Sequence, residues 1–205
     1  MTAQPLTRRR HHSRDRTRPA LTVLGDLSLP LVRAHEICGP ARHMLAMLVA
    51  GATEGPVFWI TPAWGAEALN PDGMAALAQP ARFTFITARR PEDILWTLEE
   101  VLRSGMVPLA VAELPKPPGM TAVRRLHLAA ETGAKEGSVR PLGLMLTPGD
   151  GGAPGIETRW HMAQAHSPGA TGWRLSRRRA RTLPPQNWHL TGRPGAWRLA
   201  PARDT

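Results

Sequence analysis

Gly39-Pro40-Ala41-Arg42-His43-Met44 stands between a short apolar run ending at Cys38 and an apolar stretch from Leu45 to Ala50. Strand, glycine turn and helix in that order are the layout of a phosphate-binding loop. A working loop reads G-x-x-x-x-G-K-[ST]: its glycines let backbone N–H groups wrap the phosphates, its Lys neutralises them and its Ser/Thr holds Mg²⁺. Counted from Gly39, the second Gly position is Met44, the Lys position Leu45 and the Ser/Thr position Ala46. None of the three can do that work, so Gly39, Pro40, Arg42 and His43 read as a vestigial phosphate loop, and no cofactor is expected. Arg42 and His43 still place two basic side chains at a helix N-terminus, where anions are attracted. A phosphate or an acidic partner side chain is the candidate ligand, and two exposed helix side chains are the plainer alternative.

Glu113 ends the apolar run that starts at Val107. A nucleotide-binding core keeps an acid at such a strand end to help hold Mg²⁺. Without the Lys and hydroxyl of the loop, half of that site is missing, and Glu113 is a vestigial position of this kind or a polar strand end that faces solvent or pairs with an Arg. The third candidate is the basic run Arg177, Arg178, Arg179 and Arg181, flanked by Trp173 and Trp188. Read as a turn between two strands, it offers phosphate attraction and stacking surfaces to nucleic acid, or charge to an acidic protein face. The competing reading is a solvated turn with its tryptophans in the core. The 8 histidines show no metal-ligand spacing. Glu99 and Glu100 are adjacent on a helix and point to different faces, so a solvated helix face is preferred over paired-carboxylate chemistry. No Ser lies in a G-x-S-x-G setting. No catalytic residue and no metal site are expected, and the chain reads as a non-enzyme.

The 205 residues give room for one substantial domain plus tails, and a hydrophobic content of 42% supports a packed core. A formal net charge of +10 favours acidic partners. Nearly all of that charge is Arg, with only Lys116 and Lys135 as lysines, a bias that a GC-rich genome also produces. Cys38 is the single cysteine, excluding an intrachain disulfide. It sits in an apolar strand and reads as a small buried hydrophobe. No apolar run approaches the roughly 18–20 residues that span a bilayer, so no membrane span and a cytoplasmic location are expected.

The elements that must position these residues alternate. Residues 1–20 read as a disordered basic tail, 21–31 as a mixed segment packing on the domain edge, and 201–205 as a loose tail. Strands are predicted over 32–38, 56–61, 82–87, 107–113 and 141–147. Helices are predicted over 42–52, 71–78, 91–104 and from Thr121 to Glu131, with Gly133 as the stop of the last. Ile94, Leu95, Leu98, Val101 and Leu102 make 91–104 the clearest helix. After Thr147 a glycine-rich loop leads to short strands over 157–165, 172–176, 188–190 and 197–199. Strands separated by helices imply parallel βαβ units: an α/β fold of three layers, mostly parallel, with a small β-rich C-terminal end.

Several stretches carry a family resemblance: the E-x-x-G-P-A-R turn from Glu36 to Arg42, the Ala-Glu-Leu-Pro ending of the central strand at 112–115, and Arg-Pro-Gly-Ala-Trp at 193–197. With the element order between them, the chain over roughly 21–200 resembles the RecA-like ImuA family of bacterial damage-induced mutagenesis proteins. The resemblance implies a RecA-like core without recombinase activity. It implies a role in SOS-induced translesion synthesis beside an inactive Y-family polymerase homologue, an error-prone replicative-type polymerase and RecA itself, with possible DNA contact. Two alternatives stay open: a RecA-like ATPase with an altered phosphate loop that binds DNA, and an SOS cell-division inhibitor built on the same scaffold.

Overall fold

The computed structural model describes residues 19–65 and 69–202. Most of the expected basic tail and the last three residues of the expected C-terminal tail lie outside that range. Within it the tail boundaries move: Ala20 already belongs to the first strand, and Pro201 closes the last.

The chain is α/β, built on one mixed sheet of nine strands and a small antiparallel pair. The pair is β1 (Ala20–Leu24) and β2 (Leu27–Pro30), a hairpin where the sequence suggested only a mixed edge segment. In the large sheet β3 (Arg33–Cys38), β4 (Val57–Pro62), β5 (Phe83–Ala88), β6 (Leu109–Glu113) and β7 (Leu142–Leu146) run parallel in the order β3-β7-β6-β4-β5. β8 (Thr158–Gln164) adds parallel to the free edge of β3. β9 (Gly172–Ala180), β10 (Gln186–Arg193) and β11 (Ala196–Pro201) then follow as an antiparallel meander.

Helix placement follows from the strand order. The steps β3→β4 and β4→β5 move toward one edge, and their helices α1 (Arg42–Gly51) and α2 (Pro71–Ala75) pack on one face. The steps β5→β6 and β6→β7 move back, and α3 (Pro91–Ser104) and α4 (Met120–Glu136) pack on the other. Connections of one hand that reverse direction must change face. The central strands are therefore buried on both sides. In β6, Leu109 and Val111 enter one core, and Ala110 and Ala112 enter the other. The meander differs. Its Trp160, Leu175, Trp188 and Leu190 join the core beneath the β1–β2 hairpin. Its alternate residues, Arg174, His189 and Arg198 among them, are exposed. Strands with one face packed and one solvated show this alternation.

α3 has the boundaries that the sequence predicts, with Pro91 in its first turn and Gly105 in the left-handed conformation at its end. α4 does not stop at Gly133 but continues to Glu136. Gly133 is present because the two helices nearly touch there: a Cβ on it would lie 2.1 Å from the Leu102 carbonyl oxygen. Glu99, expected on a solvated face, is also a packing residue. It is buried on α3, bonded to Arg103 and 2.8 Å from Nη2 of Arg125 on α4.

His35 fastens β3 to its flanks. Its Nε2 lies 2.9 Å from the Pro30 carbonyl and its Nδ1 2.7 Å from the Thr158 hydroxyl. A carbonyl only accepts, so Nε2 carries the proton and Nδ1 accepts from Thr158: the ring is neutral, and burial pushes its pKa down to about 3. A depressed His pKa means that the unfolded chain takes up the proton first. The resulting stability is fully present above the ordinary value of 6.5 and is lost as the pH falls toward about 3. The loss is on the order of 5 kcal/mol. In a native-state NMR titration the His35 ring is expected to stay neutral at pH 5 while unfolding free energy declines; titration near 6.5 would contradict this burial. Gly133→Ala is expected to destabilise by about 1–3 kcal/mol in urea denaturation, although Ala is the better helix former. A gain in stability would show that α3 and α4 separate freely.

Candidate functional site

In an open α/β sheet the natural ligand crevice lies at the carboxyl ends of the strands, where the connections change direction. Here that place is the end of β3, the start of α1, and the ends of β6 and β7. Gly39, Arg42, His43 and Glu113 all meet there.

Glu113 projects from the end of β6. Its Oε1 accepts from the Trp59 indole N–H at 2.7 Å, and its Oε2 lies 3.3 Å from His43 Nε2. Burial pushes the Glu113 carboxyl up, but the bonds from His43 and Trp59 and the charges of His43 and Arg42 outweigh it. The net pKa lies below the ordinary glutamate value. The His43 ring also stacks on Trp59, with centroids 6.4 Å apart. Glu113 is thus engaged within the protein, by a His and a Trp rather than by solvent or an Arg.

The turn itself is closed. Gly39 N–H donates to the Gly149 carbonyl at 2.9 Å, and Ala41 N–H donates to the Met162 carbonyl at 3.0 Å. Pro40 has no N–H to offer, and Arg42 N–H turns back to the Gly39 carbonyl. The N–H groups of Gly39, Ala41 and Arg42 are thus already in use. The space over Gly39 is filled as well: a Cβ there would lie 2.4 Å from the Met162 oxygen and 2.8 Å from His161 Nε2. β8 does this by running past the end of β3, its partner up to the Cys38–His161 pair.

The remaining wall is the loop 148–155, held by Glu36. This β3 carboxylate is fully buried. It accepts from the Thr147 hydroxyl and the Gly152 N–H, both at 2.8 Å, from the Ala153 N–H, and from the Arg159 guanidinium. The one sign of this role in the sequence is an acid inside an apolar strand. Cys38 beside it is buried as expected, and burial with the Glu36 charge pushes the thiol up to about 11. Nothing in the local sequence places His161 and Asp150 at the turn; the register of β8 brings the first there and the fold of the loop brings the second. Asp150 Oδ1 lies 3.7 Å from His161 Nε2 and 2.8 Å from Arg178 Nη1.

The basic run divides. It was expected as a turn, but Arg177, Arg178 and Arg179 lie within β9 and only Arg181 follows it. The strand continues because Arg177 faces the core with Trp173 and Leu175. Its guanidinium lies 5.7 Å from the Trp160 ring centre and 5.1 Å from that of Trp188, and it bonds to the Pro184 carbonyl and the Gln186 side chain. Trp188 is fully buried, and Trp173 is buried edge-on against Trp197. Neither tryptophan presents a free stacking face, and Arg177 offers no free charge. Arg178, Arg179 and Arg181 are exposed, and Arg178 alone reaches the loop above Gly39, through Asp150.

Among the described residues no three His, Cys, Asp or Glu side chains cluster as a metal site, and no helix is long and apolar enough to cross a membrane. No protein-family model matches the sequence, and no curated protein matches it.

A closed turn has a direct consequence for nucleotide. Titration with a fluorescent ATP analogue and Mg²⁺ is expected to show no saturable binding. A micromolar dissociation constant, about −8 kcal/mol, would mean that the Gly149 and Met162 carbonyls move aside and that the ATPase alternative is correct.

Proposed function

We propose that the protein is a non-enzymatic accessory factor in SOS-induced, error-prone translesion DNA synthesis. It acts by docking to mutasome polymerase subunits, namely an inactive Y-family polymerase homologue and an error-prone replicative-type polymerase, or to RecA. One observation carries the reading. The strand–turn–helix layout sits at the crevice of an α/β sheet, where nucleotide would bind, yet the turn is sealed by the chain's own carbonyls. A scaffold that keeps this layout while filling its site has lost the reason for chemistry and keeps its surfaces. The finer reading of the sheet as a RecA-like core rests on the sequence resemblance and agrees with this layout, and a cytoplasmic location goes with the role.

Docking needs anchors, and the helical side supplies one. Trp96 on α3 is 60% exposed and lines a groove between α3 and α4 with Arg90, Asp93, Leu95 and Arg125. An aromatic anchor ringed by charge is the usual make-up of an energetic centre at an interface.

Tagged protein recovered from DNA-damaged cells is expected to carry at least one of the three partners, and the purified pair is expected to co-elute. Trp96→Ala should weaken that complex about tenfold or more, the cost of one anchor residue, and leave thermal stability unchanged. Recovery of division proteins instead, with none of the three partners, would overturn the proposal.

A further inference from the structure

The solvated face of the meander is the feature that the docking role does not use. β8, β9 and β10 line a shallow depression of about 740 Å³ on the side opposite the tryptophan core. Its floor is made of small side chains, Ala163, Ala165 and Ala202. Its polar wall is mostly cationic or imidazole: Arg174, Arg178, His161 and His189, with Asp150 as the one acid. His189 is directly opposite Arg174 across the β9–β10 pair, and Arg198 on β11 is opposite Thr191, two residues further along the same face. Arg178 is the extra residue of a bulge in β9, between Arg177 and Arg179 in their pairing with β8. A bulge re-aims its side chain, and here it brings the guanidinium to Asp150 at the rim. Arg178 is matched by Asp150, while Arg174 and Arg198 have no acidic partner among the described residues.

We infer that this face binds the sugar–phosphate backbone of single-stranded nucleic acid. The occupant follows from what the face has and lacks. An acidic protein would need apolar anchors at the centre of the contact, and every large apolar side chain within strands β8 to β11 packs into the core on the other side. Polyanion binding needs no such anchor, because released counterions supply the affinity. An open four-stranded sheet face suits a single strand lying across it, and the exposed imidazole of His189 offers a ring for a base. The inference does not depend on the docking role, which uses the α3–α4 side.

The test is fluorescence anisotropy of the full chain with a labelled oligothymidylate of about 20 nucleotides, across about 50–300 mM salt, a range over which phosphate contacts weaken steeply. Saturable binding is expected, with a slope of log affinity against log salt of roughly −0.7 per phosphate neutralised. The double variant Arg174→Glu with Arg198→Glu is expected to bind at least tenfold more weakly with a flatter slope. Both residues are exposed, so an unchanged thermal melt is expected. A charge-matched pair on exposed positions elsewhere, Arg124→Glu with Arg140→Glu, is expected to bind as the parent does. Four results would overturn the inference: no binding by the parent, equal loss in the charge-matched pair, tighter binding of duplex than of single strand, or displacement by poly-glutamate at equal charge, which would assign the face to an acidic protein.

Discussion

The buried carboxylate of Glu36 constrains the rest of the C-terminal edge. A carboxylate taken out of water costs several kcal/mol unless its lone pairs are filled and its charge is matched. Here the charge is matched by Arg159 from β8, and the lone pairs are filled by the Thr147 hydroxyl and by the N–H groups of Gly152 and Ala153. Those partners come from three consecutive parts of the chain: the end of β7, the glycine-rich loop and the start of β8. One acid in β3 therefore dictates where β7 must end, how the loop must fold back and which edge β8 must join. With β8 fixed beside β3, its Met162 carbonyl reaches Ala41, and the loop's Gly149 carbonyl reaches Gly39. The sealed turn is thus a consequence of how Glu36 is satisfied, more than of the missing Lys and Ser/Thr.

That arrangement also separates two kinds of surface. The central parallel strands β3, β7, β6 and β4 are covered on both faces, so their chemistry is confined to strand ends, and the end in question is filled. The meander is covered on one face only. Arg177 marks the division, because it spends its charge inward over the rings of Trp160 and Trp188. The residues on either side of it, Ser176 and Arg178, turn toward the open face. A charge run in the sequence has thus become one structural cation and a set of surface ones, and only the second set can meet a ligand.

What the sequence made legible was what local physics decides. α3 was readable to the residue because a Pro in its first turn, a helical apolar stripe and a glycine stop agree with each other. The β3–turn–α1 unit and the acid at the end of β6 were readable for the same reason. Gly133 misled because a glycine has two uses, as a stop and as a place for close approach, and only the position of α3 decides between them. The β1–β2 hairpin has a local signal of its own: Gly25-Asp26 is a two-residue turn between alternating apolar residues. The inward Arg177 was harder, since period-two alternation is read from apolar residues and an arginine among them looks like a break.

The candidate site was the least legible part, for a reason that belongs to its construction. Its groups, Gly39, Glu113, His161, Asp150 and Glu36, come from β3, β6, β8 and the intervening loop, and no spacing in the chain links them. The turn motif announces a phosphate site, while the tertiary register cancels it. Local and global signals usually agree in a folded chain, and places where they conflict are expected at functional or formerly functional positions. At Gly39 the conflict is resolved by backbone: a carbonyl from β8 takes the Ala41 N–H and one from the loop takes the Gly39 N–H. Because these closing groups are carbonyls, restoring a Lys at Leu45 and a Thr at Ala46 would not reopen the turn. The register of β8, held by Glu36 and Arg159, would have to change first.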